Sequence, residues 1–153
     1  MYVKDIMTRN VISISPETLI TEVADIMTKN RFHGIPVIEK GELVGIVTET
    51  DFYIRGTNIS LPSFATFLQD IDTVEVKDFS KKQFLKKIIR ARAKDIMTSS
   101  CVTVPEMMSL FVLLSFYQKT EYHTLPVVNE QKSMVGIVTR ADLIHLLSVS
   151  SEK

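Results

Sequence analysis

The sequence predicts an α+β fold in which two β-α-β-β-α repeats pack with pseudo-two-fold symmetry, with an inserted linker that contains a further helix. Residues 45–51 read GIVTETD and return as residues 136–142, GIVTRAD. Residues 4–8 read KDIMT and return unchanged as residues 94–98. Such an internal duplication predicts two copies of one supersecondary unit, and each copy needs a partner to bury its apolar faces.

The composition is that of an ordinary soluble globular protein, with 153 residues of which 45% are apolar and 24% charged. Eighteen basic residues balance eighteen acidic ones, so no net field recruits nucleic acid or an anionic membrane. No apolar run is long enough to span a bilayer, and the N-terminus lacks a signal-type apolar core. A single cysteine excludes an internal disulfide and a zinc cluster. We therefore expect a cytoplasmic protein.

Each repeat opens on a short β-branched run, residues 11–14 (VISI) and 101–104 (CVTV), which predicts its first strand. Ser15, Pro16 and Glu17 then predict a helix start, with an N-cap, a proline at the first helical position and an acidic first turn. Pro105 and Glu106 predict the same start in the second repeat.

The two helices that follow differ in their apolar faces. The first has one apolar stripe, formed by Leu19, Val23, Ile26 and Met27, which predicts one buried face. The second, residues 107–117, is apolar almost all round. Either it fills the core between the repeats or one of its faces meets a second chain. Together with the apolar last helix, which carries Leu143, Ile144, Leu146, Leu147 and Val149, it predicts a homodimer.

A matched hairpin follows each helix. Residues 33–38 (HGIPVI) and 123–128 (HTLPVV) predict one strand, a polar turn comes next, and the repeated GIVT segment predicts the second strand. The repeats are thus predicted to span residues 1–56 and 94–150, with a linker at 57–93.

The linker is predicted to contain a basic amphipathic helix that begins at Ser80 and carries lysines and arginines between Lys81 and Lys94. Such a face is either a solvated helix surface or a nucleic-acid contact. Because no helix-turn-helix, zinc finger or stacking-aromatic pattern accompanies it, nucleic-acid binding is not expected.

The repeated GIVTxxD segment marks a strand that ends in a helix N-terminus. Thr48 with Asp51, and Thr139 with Asp142, fit a capping box in which hydroxyl and carboxylate bind each other's backbone N–H groups. The same place suits a nucleotide, because free N–H groups attract phosphate and a carboxylate accepts hydrogen bonds from a ribose diol.

With these motifs in the same order and spacing twice, the chain resembles a tandem pair of cystathionine-β-synthase (CBS) domains, a Bateman module. The resemblance covers nearly the whole chain. It implies two pseudo-symmetric clefts between the repeats that hold adenine nucleotides, and a flat disc when two pairs dimerise. AMP, ADP, ATP and S-adenosylmethionine share the adenine and ribose groups, so the sequence does not separate them.

The resemblance also assigns site residues. Thr48 and Thr139 would face phosphate or ribose oxygens, and Asp51 and Asp142 the ribose hydroxyls. Apolar residues would hold the base: Val11, Ile12 and Ile35 in the first cleft, and Cys101, Val102 and Leu125 in the second. His33 and His123 lie three residues before a proline, where the family often has a basic residue facing phosphate; otherwise they are loop or packing residues.

The residue after each capping threonine distinguishes the clefts. A phosphate would meet the carboxylate of Glu49 in the first cleft and the guanidinium of Arg140 in the second. We expect the second cleft to bind more tightly, unless both side chains turn into solvent.

These features predict a non-catalytic regulatory module that binds an adenine nucleotide, requires no cofactor and signals to an unidentified protein in trans. No nucleophile elbow, metal-ligand cluster, P-loop or dinucleotide glycine fingerprint suggests an enzyme. The alternatives are a nucleic-acid-associated regulator that uses the basic helix at 81–94, and a scaffold or dimerisation module without a ligand.

Overall fold

The computed structural model describes residues 1–52 and 89–150. Most of the predicted linker, most of its basic helix and the continuation of the helix after Asp51 lie outside these residues. The described elements, in chain order, are a 3-10 turn at Val3–Asp5, α1 (Ile20–Asn30), β1 (Gly34–Glu39), β2 (Glu42–Thr48), a 3-10 turn at Glu49–Phe52, α2 (Ala93–Ile96), β3 (Val104–Pro105), α3 (Leu110–Lys119), β4 (Thr124–Val128), β5 (Met134–Thr139) and α4 (Arg140–Ser150). The predicted α+β class is confirmed.

Both predicted hairpins are present. Strands β1 and β2 form a two-stranded sheet, and β3, β4 and β5 form a three-stranded sheet in that order. Strand β3 is parallel to β4, and β4 is antiparallel to β5, with Leu125 opposite Val138. Residues 35–37 (IPV) and 125–127 (LPV) therefore lie in strands, and the partner of each is the strand that contains the GIVT segment of its repeat.

The predicted first strand of each repeat is much shorter than residues 11–14 and 101–104 suggested. In the second repeat only Val104 and Pro105 pair with β4. In the first, Ile14 alone forms a bridge: its N–H donates to Pro36 at 3.0 Å, and its carbonyl accepts from Ile38 at 2.8 Å. A β-branched run favours an extended backbone, but a ladder forms only where a neighbouring strand runs alongside.

The predicted helix starts at Ser15 and Pro105 are wrong. Helix α1 begins at Ile20, and α3 begins at Leu110 with Ser109 as its N-cap. The turn before α1 binds another part of the chain, because Lys94 N–H donates to Pro16 O at 3.0 Å and Ala93 N–H donates to Thr18 O at 2.8 Å. The turn before α3 likewise accepts from the backbone N–H groups of Val3 and Lys4. These long-range bonds keep both turns out of the helix.

The chain forms two compact units that do not follow chain order. Unit 1 comprises Met1–Ile12, Gly41–Leu43 and Ser100–Lys153, and unit 2 comprises Ser13–Lys40 and Val44–Ser99. Residues 4–8, which open the first repeat, therefore belong to the unit that contains β4 and β5. Residues 94–98, which open the second repeat, belong to the unit that contains β1 and β2.

Each opening is fixed to the last strand of its unit by a backbone bridge. In unit 1, the N–H and carbonyl groups of Thr8 and Ile137 exchange two hydrogen bonds of 2.9 Å. In unit 2, Thr98 and Ile46 exchange bonds of 2.9 and 3.1 Å. The KDIMT pentapeptide is thus a docking segment, and its duplication reflects two equivalent docking sites.

Each unit has its own apolar core. Val23 and Met27 of α1 are buried in unit 2, and Leu113 and Tyr117 of α3 are buried in unit 1. Helix α3 is not buried all round: Phe111 is 79% exposed, and Val112 and Leu114 are about half exposed. Only one side of α3 faces its sheet, so its apolar outer face is not explained by the core of unit 1. Among residues 1–52 and 89–150, no helix has the length and apolar character needed to cross a bilayer.

Candidate ligand-binding site

The junction of β5 and α4 in unit 1 holds a complete capping box. Asp142 Oδ2 accepts hydrogen bonds from Thr139 N–H at 2.7 Å and from the Thr139 hydroxyl at 2.8 Å. Asp142 N–H donates to Thr139 Oγ1 at 3.4 Å. The predicted capping arrangement is confirmed here, and it fixes the carboxylate through one oxygen.

The equivalent junction in unit 2 keeps the carboxylate half of this arrangement. Asp51 Oδ2 accepts from Thr48 N–H at 2.7 Å and from the Thr48 hydroxyl at 3.2 Å. The Thr48 hydroxyl also lies 2.9 Å from Thr50 Oγ1, and Asp51 Oδ1 accepts from the Thr98 hydroxyl at 3.5 Å. The opening segment of unit 2 therefore touches the second carboxylate oxygen, a contact that the sequence did not predict.

This geometry allows the Asp142 carboxylate to accept hydrogen bonds from the hydroxyl groups of a ligand. In Asp142 the capping bonds use Oδ2, which leaves Oδ1 outside the capping box. An ionised carboxylate is an acceptor only, and its two oxygens offer about four lone-pair sites. A diol donates two hydroxyl hydrogens, so a half-buried carboxylate held at one oxygen is a suitable partner for it.

The predicted base-binding residues divide into two groups. Ile35 and Leu125 have no exposed surface and belong to the cores of their units, so their side chains do not form an open wall. The side chains that retain accessible surface are all in unit 1: Val11, Ile12, Cys101 and Val102. The sequence pattern did not separate these groups, because a buried strand residue and a site wall are both apolar.

Cys101 contributes an apolar rather than a charged surface. It is half-buried, and this burial raises the pKa of its thiol, while a backbone hydrogen bond lowers it by less. The thiol is therefore protonated at neutral pH and behaves as a small apolar group.

The two matched histidines lie directly before a hairpin strand, and both are exposed. Their carbonyls accept from the N–H groups of Glu49 and Arg140, each at 3.2 Å. His33 Nδ1 also lies 3.2 Å from Glu49 Oε1. The two backbone bonds show that the histidines occupy equivalent places in the two repeats, and their predicted role towards phosphate stays a prediction.

The guanidinium of Arg140 is bound to the end of α3 and the turn after it. Its Nε donates to Tyr122 O at 2.8 Å, and Nη2 donates to Tyr117 O at 3.1 Å and to Thr120 O at 2.6 Å. The charged group also lies over the Tyr117 ring, 5.6 Å from its centre. These contacts argue against Arg140 as a free phosphate donor. The expected difference in affinity between the two clefts depended on that role.

We call these contacts of the Arg140 guanidinium the clamp. Tyr117 connects the clamp to β5, and sequence reasoning did not identify this role. Its hydroxyl is buried and donates to Val138 O at 2.9 Å. Burial raises the pKa of the phenol well above its usual range; the charge of Asp142 adds to this effect, and Arg140 opposes it. Tyr117 occupies a core position of a helix that is apolar almost all round, so its sequence context indicated packing alone.

Two basic residues at the end of the predicted basic helix are paired with Glu17. Lys94 Nζ lies 2.6 Å from Glu17 Oε1, and Arg92 Nε lies 3.5 Å from Oε2. Arg92 also donates to the Glu17 carbonyl at 2.6 Å. In the described part of the chain, no group of three or more His, Cys, Asp or Glu residues is placed to hold a metal ion.

Comparison with known proteins identifies related chains. The CBS domain family model matches residues 3–54 and 93–149. Protein MJ1426 of Methanocaldococcus jannaschii is 30% identical over 154 residues, which cover 96% of this chain and 91% of that protein. Some curated relatives are much longer: the chain spans 45% of protein MJ1225 of the same organism and 22% of inosine-5'-monophosphate dehydrogenase of Thermoplasma acidophilum.

Solved structures share the fold. CBSX2 of Arabidopsis thaliana in complex with AMP matches with a TM-score of 0.70 and 22% identity, covering 99% of this chain and 98% of that one. The CBS domain pair of protein MJ0100, in complex with 5'-methylthioadenosine and S-adenosyl-L-methionine, matches with a TM-score of 0.66 and 24% identity, covering 98% of each chain.

Proposed function

The chain belongs to the CBS domain family as a tandem CBS pair, and on that premise we propose that it is a non-catalytic regulatory module that binds an adenine nucleotide. The observation that carries the proposal is the Thr139–Asp142 capping box, in which one carboxylate oxygen is held and the other lies outside the capping bonds. A ribose diol is the group that this carboxylate would recognise.

Related structures support an adenosine-containing ligand. CBSX2 was solved with AMP, and the MJ0100 domain pair was solved with 5'-methylthioadenosine and S-adenosyl-L-methionine. These three compounds share adenine and ribose and differ in what the ribose carries. We therefore propose AMP, ADP or ATP as the ligand, with S-adenosylmethionine as a further candidate, and no additional cofactor.

We assign the parts of the ligand to residues as follows. Asp142 and Asp51 accept hydrogen bonds from ribose hydroxyls, with Thr139 and Thr48 beside them. The adenine lies against accessible apolar side chains, namely Val11 and Ile12 in the first site and Cys101 and Val102 in the second. Ile35 and Leu125 lie in the cores of units 2 and 1, respectively, and His33 and His123 face the phosphate.

The test is a ligand panel of AMP, ADP, ATP, S-adenosylmethionine and guanine nucleotides, measured by thermal shift and calorimetry. A ligand that binds only the native state adds about 2.7 kcal/mol of stability at a hundredfold excess over its dissociation constant. We expect this response from an adenine compound and a much smaller one from the guanine controls. A flat response to every compound would favour the scaffold alternative, and turnover of a nucleotide would favour an enzyme.

We further propose that the protein is a cytoplasmic homodimer that acts on a partner protein in trans. The apolar outer face of α3 supports the dimer: Phe111 is 79% exposed, whereas the corresponding position on α1 carries the polar Thr21. An apolar face that the core does not cover is typical of a contact between chains.

Phe111→Glu is expected to shift the protein from dimer to monomer, because a carboxylate at a buried contact loses its hydration. Light scattering over the micromolar range measures this shift. Thr21→Glu is the matched control and is expected to leave the dimer intact. A wild-type protein that is monomeric throughout the range would contradict the proposal.

A further inference from the structure

Helices α1 and α3 end in different ways, although they occupy the same position in the two repeats. The C-cap of α1 is Arg31, which has a left-handed backbone with φ of 55° and whose N–H donates to the carbonyls of Met27 and Thr28. This is a common backbone C-cap. The C-cap of α3 is Thr120, which is extended with φ of −131° and has no left-handed backbone cap. Its hydroxyl donates to Phe116 O at 3.0 Å, and Tyr117 O takes a donor from elsewhere in the chain.

Arg140 supplies donors to Tyr117 O and to the turn that follows α3. Its guanidinium donates to the carbonyls of Tyr117, Thr120 and Tyr122. Its backbone N–H donates to the carbonyl of His123. The positive charge also lies at the negative end of the α3 dipole. A planar guanidinium makes these bonds from fixed directions, which a lysine ammonium does not reproduce.

The first repeat provides an internal comparison. The residue that corresponds to Arg140 is Glu49, whose side chain has no donor and lies 3.2 Å from His33 Nδ1. Its backbone N–H nevertheless makes the same 3.2 Å bond to the histidine carbonyl that Arg140 makes. Arginine thus occupies this position where the helix lacks a backbone cap, and glutamate occupies it where the helix caps itself.

We infer that Arg140 is a positioning residue that caps α3 and ties the turn at residues 120–123 to Thr139 and Asp142, and that it affects nucleotide affinity through this position rather than by binding phosphate. Arg140 is the first residue of α4 and lies between the two capping residues in sequence. Any movement of the turn relative to the start of α4 therefore changes the surroundings of Asp142. The part of the inference that concerns affinity rests on the proposed function.

Adenosine and AMP separate positioning from phosphate binding, because they differ only in the phosphate. Calorimetry on the wild type and on Arg140→Ala measures both affinities. We expect both ligands to weaken by a common factor of about tenfold, so that the ratio of their dissociation constants stays the same. A loss confined to AMP would identify Arg140 as a phosphate ligand and overturn the inference, as would unchanged affinity for both compounds.

Amide hydrogen exchange tests the clamp without any ligand. Arg140→Ala is expected to accelerate exchange by about tenfold at the helical amides of residues 116–119, because the last turn of α3 loses the side-chain donor that binds Tyr117 O. Lys119→Ala, which removes a neighbouring positive charge at the end of α3, is the control and is expected to leave this exchange unchanged. Equal exchange in Arg140→Ala and the wild type would refute the clamp.

Arg140→Lys tests whether geometry or charge is responsible. Lysine retains the positive charge but lacks the planar guanidinium group. We therefore expect amide exchange in Arg140→Lys to be as fast as in Arg140→Ala. Full protection in the lysine variant would show that charge alone suffices and would overturn the inference. If the wild type bound neither AMP nor adenosine, the proposed function would fail, while the exchange measurements would still decide the clamp.

Discussion

Asp142→Asn is expected to weaken adenine nucleotide binding by about tenfold to a hundredfold while the protein stays folded. The asparagine oxygen can still accept from Thr139 N–H, the bond that the carboxylate makes at 2.7 Å. Asp142 is the third residue after the N-cap of the box, a position where carboxylate and amide side chains both accept from the N-cap N–H, so little stability is lost. The amide nitrogen, however, replaces an acceptor by a donor, and it cannot receive a hydrogen bond from a ribose hydroxyl.

Calorimetry with the tightest ligand of the panel measures this loss, and thermal unfolding without ligand checks the fold. Asp142→Ala is the contrasting variant, because it removes both the cap and the acceptor and should lose stability as well as affinity. Unchanged affinity in Asp142→Asn would contradict the ribose role of this residue.

Asp51→Asn compares the two repeats. Asp51 Oδ1 already accepts from the Thr98 hydroxyl at 3.5 Å, whereas the capping bonds of Asp142 use only Oδ2. We therefore still expect the second repeat to carry the tighter site, now because of the carboxylate environment rather than the charge of Arg140. If Asp51→Asn abolished the tight phase and Asp142→Asn preserved it, the order of the sites would be reversed.

Gly136→Ala is expected to lower the free energy of unfolding by about 1–3 kcal/mol. A Cβ at this position would lie 2.7 Å from Met7 Sδ and 2.9 Å from Thr8 O. The methionine side chain can move, but Thr8 O accepts the 2.9 Å bond from Ile137 N–H and is held in place. The new methyl group must therefore displace the docking segment of unit 1.

Urea unfolding measures this change, and Gly45→Ala should behave similarly because its Cβ would lie 2.9 Å from both Met97 Sδ and Thr98 O. Gly41→Asn is the control for loss of a glycine without a clash: Gly41 has φ of 81° with no atom within 4 Å of its Cβ position. Asparagine tolerates this backbone, so the cost should be below about 1 kcal/mol. A Gly136→Ala protein as stable as the wild type would show that the segment yields without cost.

Local and repeated patterns were enough for several parts of the fold. The duplication predicted paired hairpins, and β1–β2 and β4–β5 are present. The Thr-x-x-Asp spacing predicted the Thr139–Asp142 capping box, since its hydrogen bonds join residues three positions apart. Such features depend on backbone preferences and short spacings, which a sequence states directly.

The sequence could not give the features that depend on distant partners. The turn before α1 was predicted to be helical, but backbone hydrogen bonds with residues 91–94 hold it outside the helix. Ile35 and Leu125 were expected to close the apolar wall around the base, but they lie in the cores, because apolar character does not reveal which side of a strand is covered.

By itself, the sequence determined the α+β class, the two repeats, the hairpins and the carboxylates that form the candidate site. The tertiary structure decided which segments dock on which hairpin, where the helices begin, and what Arg140 binds. Its side chain reaches carbonyls 18 to 23 positions earlier in the chain, at the end of a helix that lacks a left-handed backbone cap. Whether a charged side chain meets a phosphate or a carbonyl depends on which groups folding leaves without partners, and only the folded chain shows those groups.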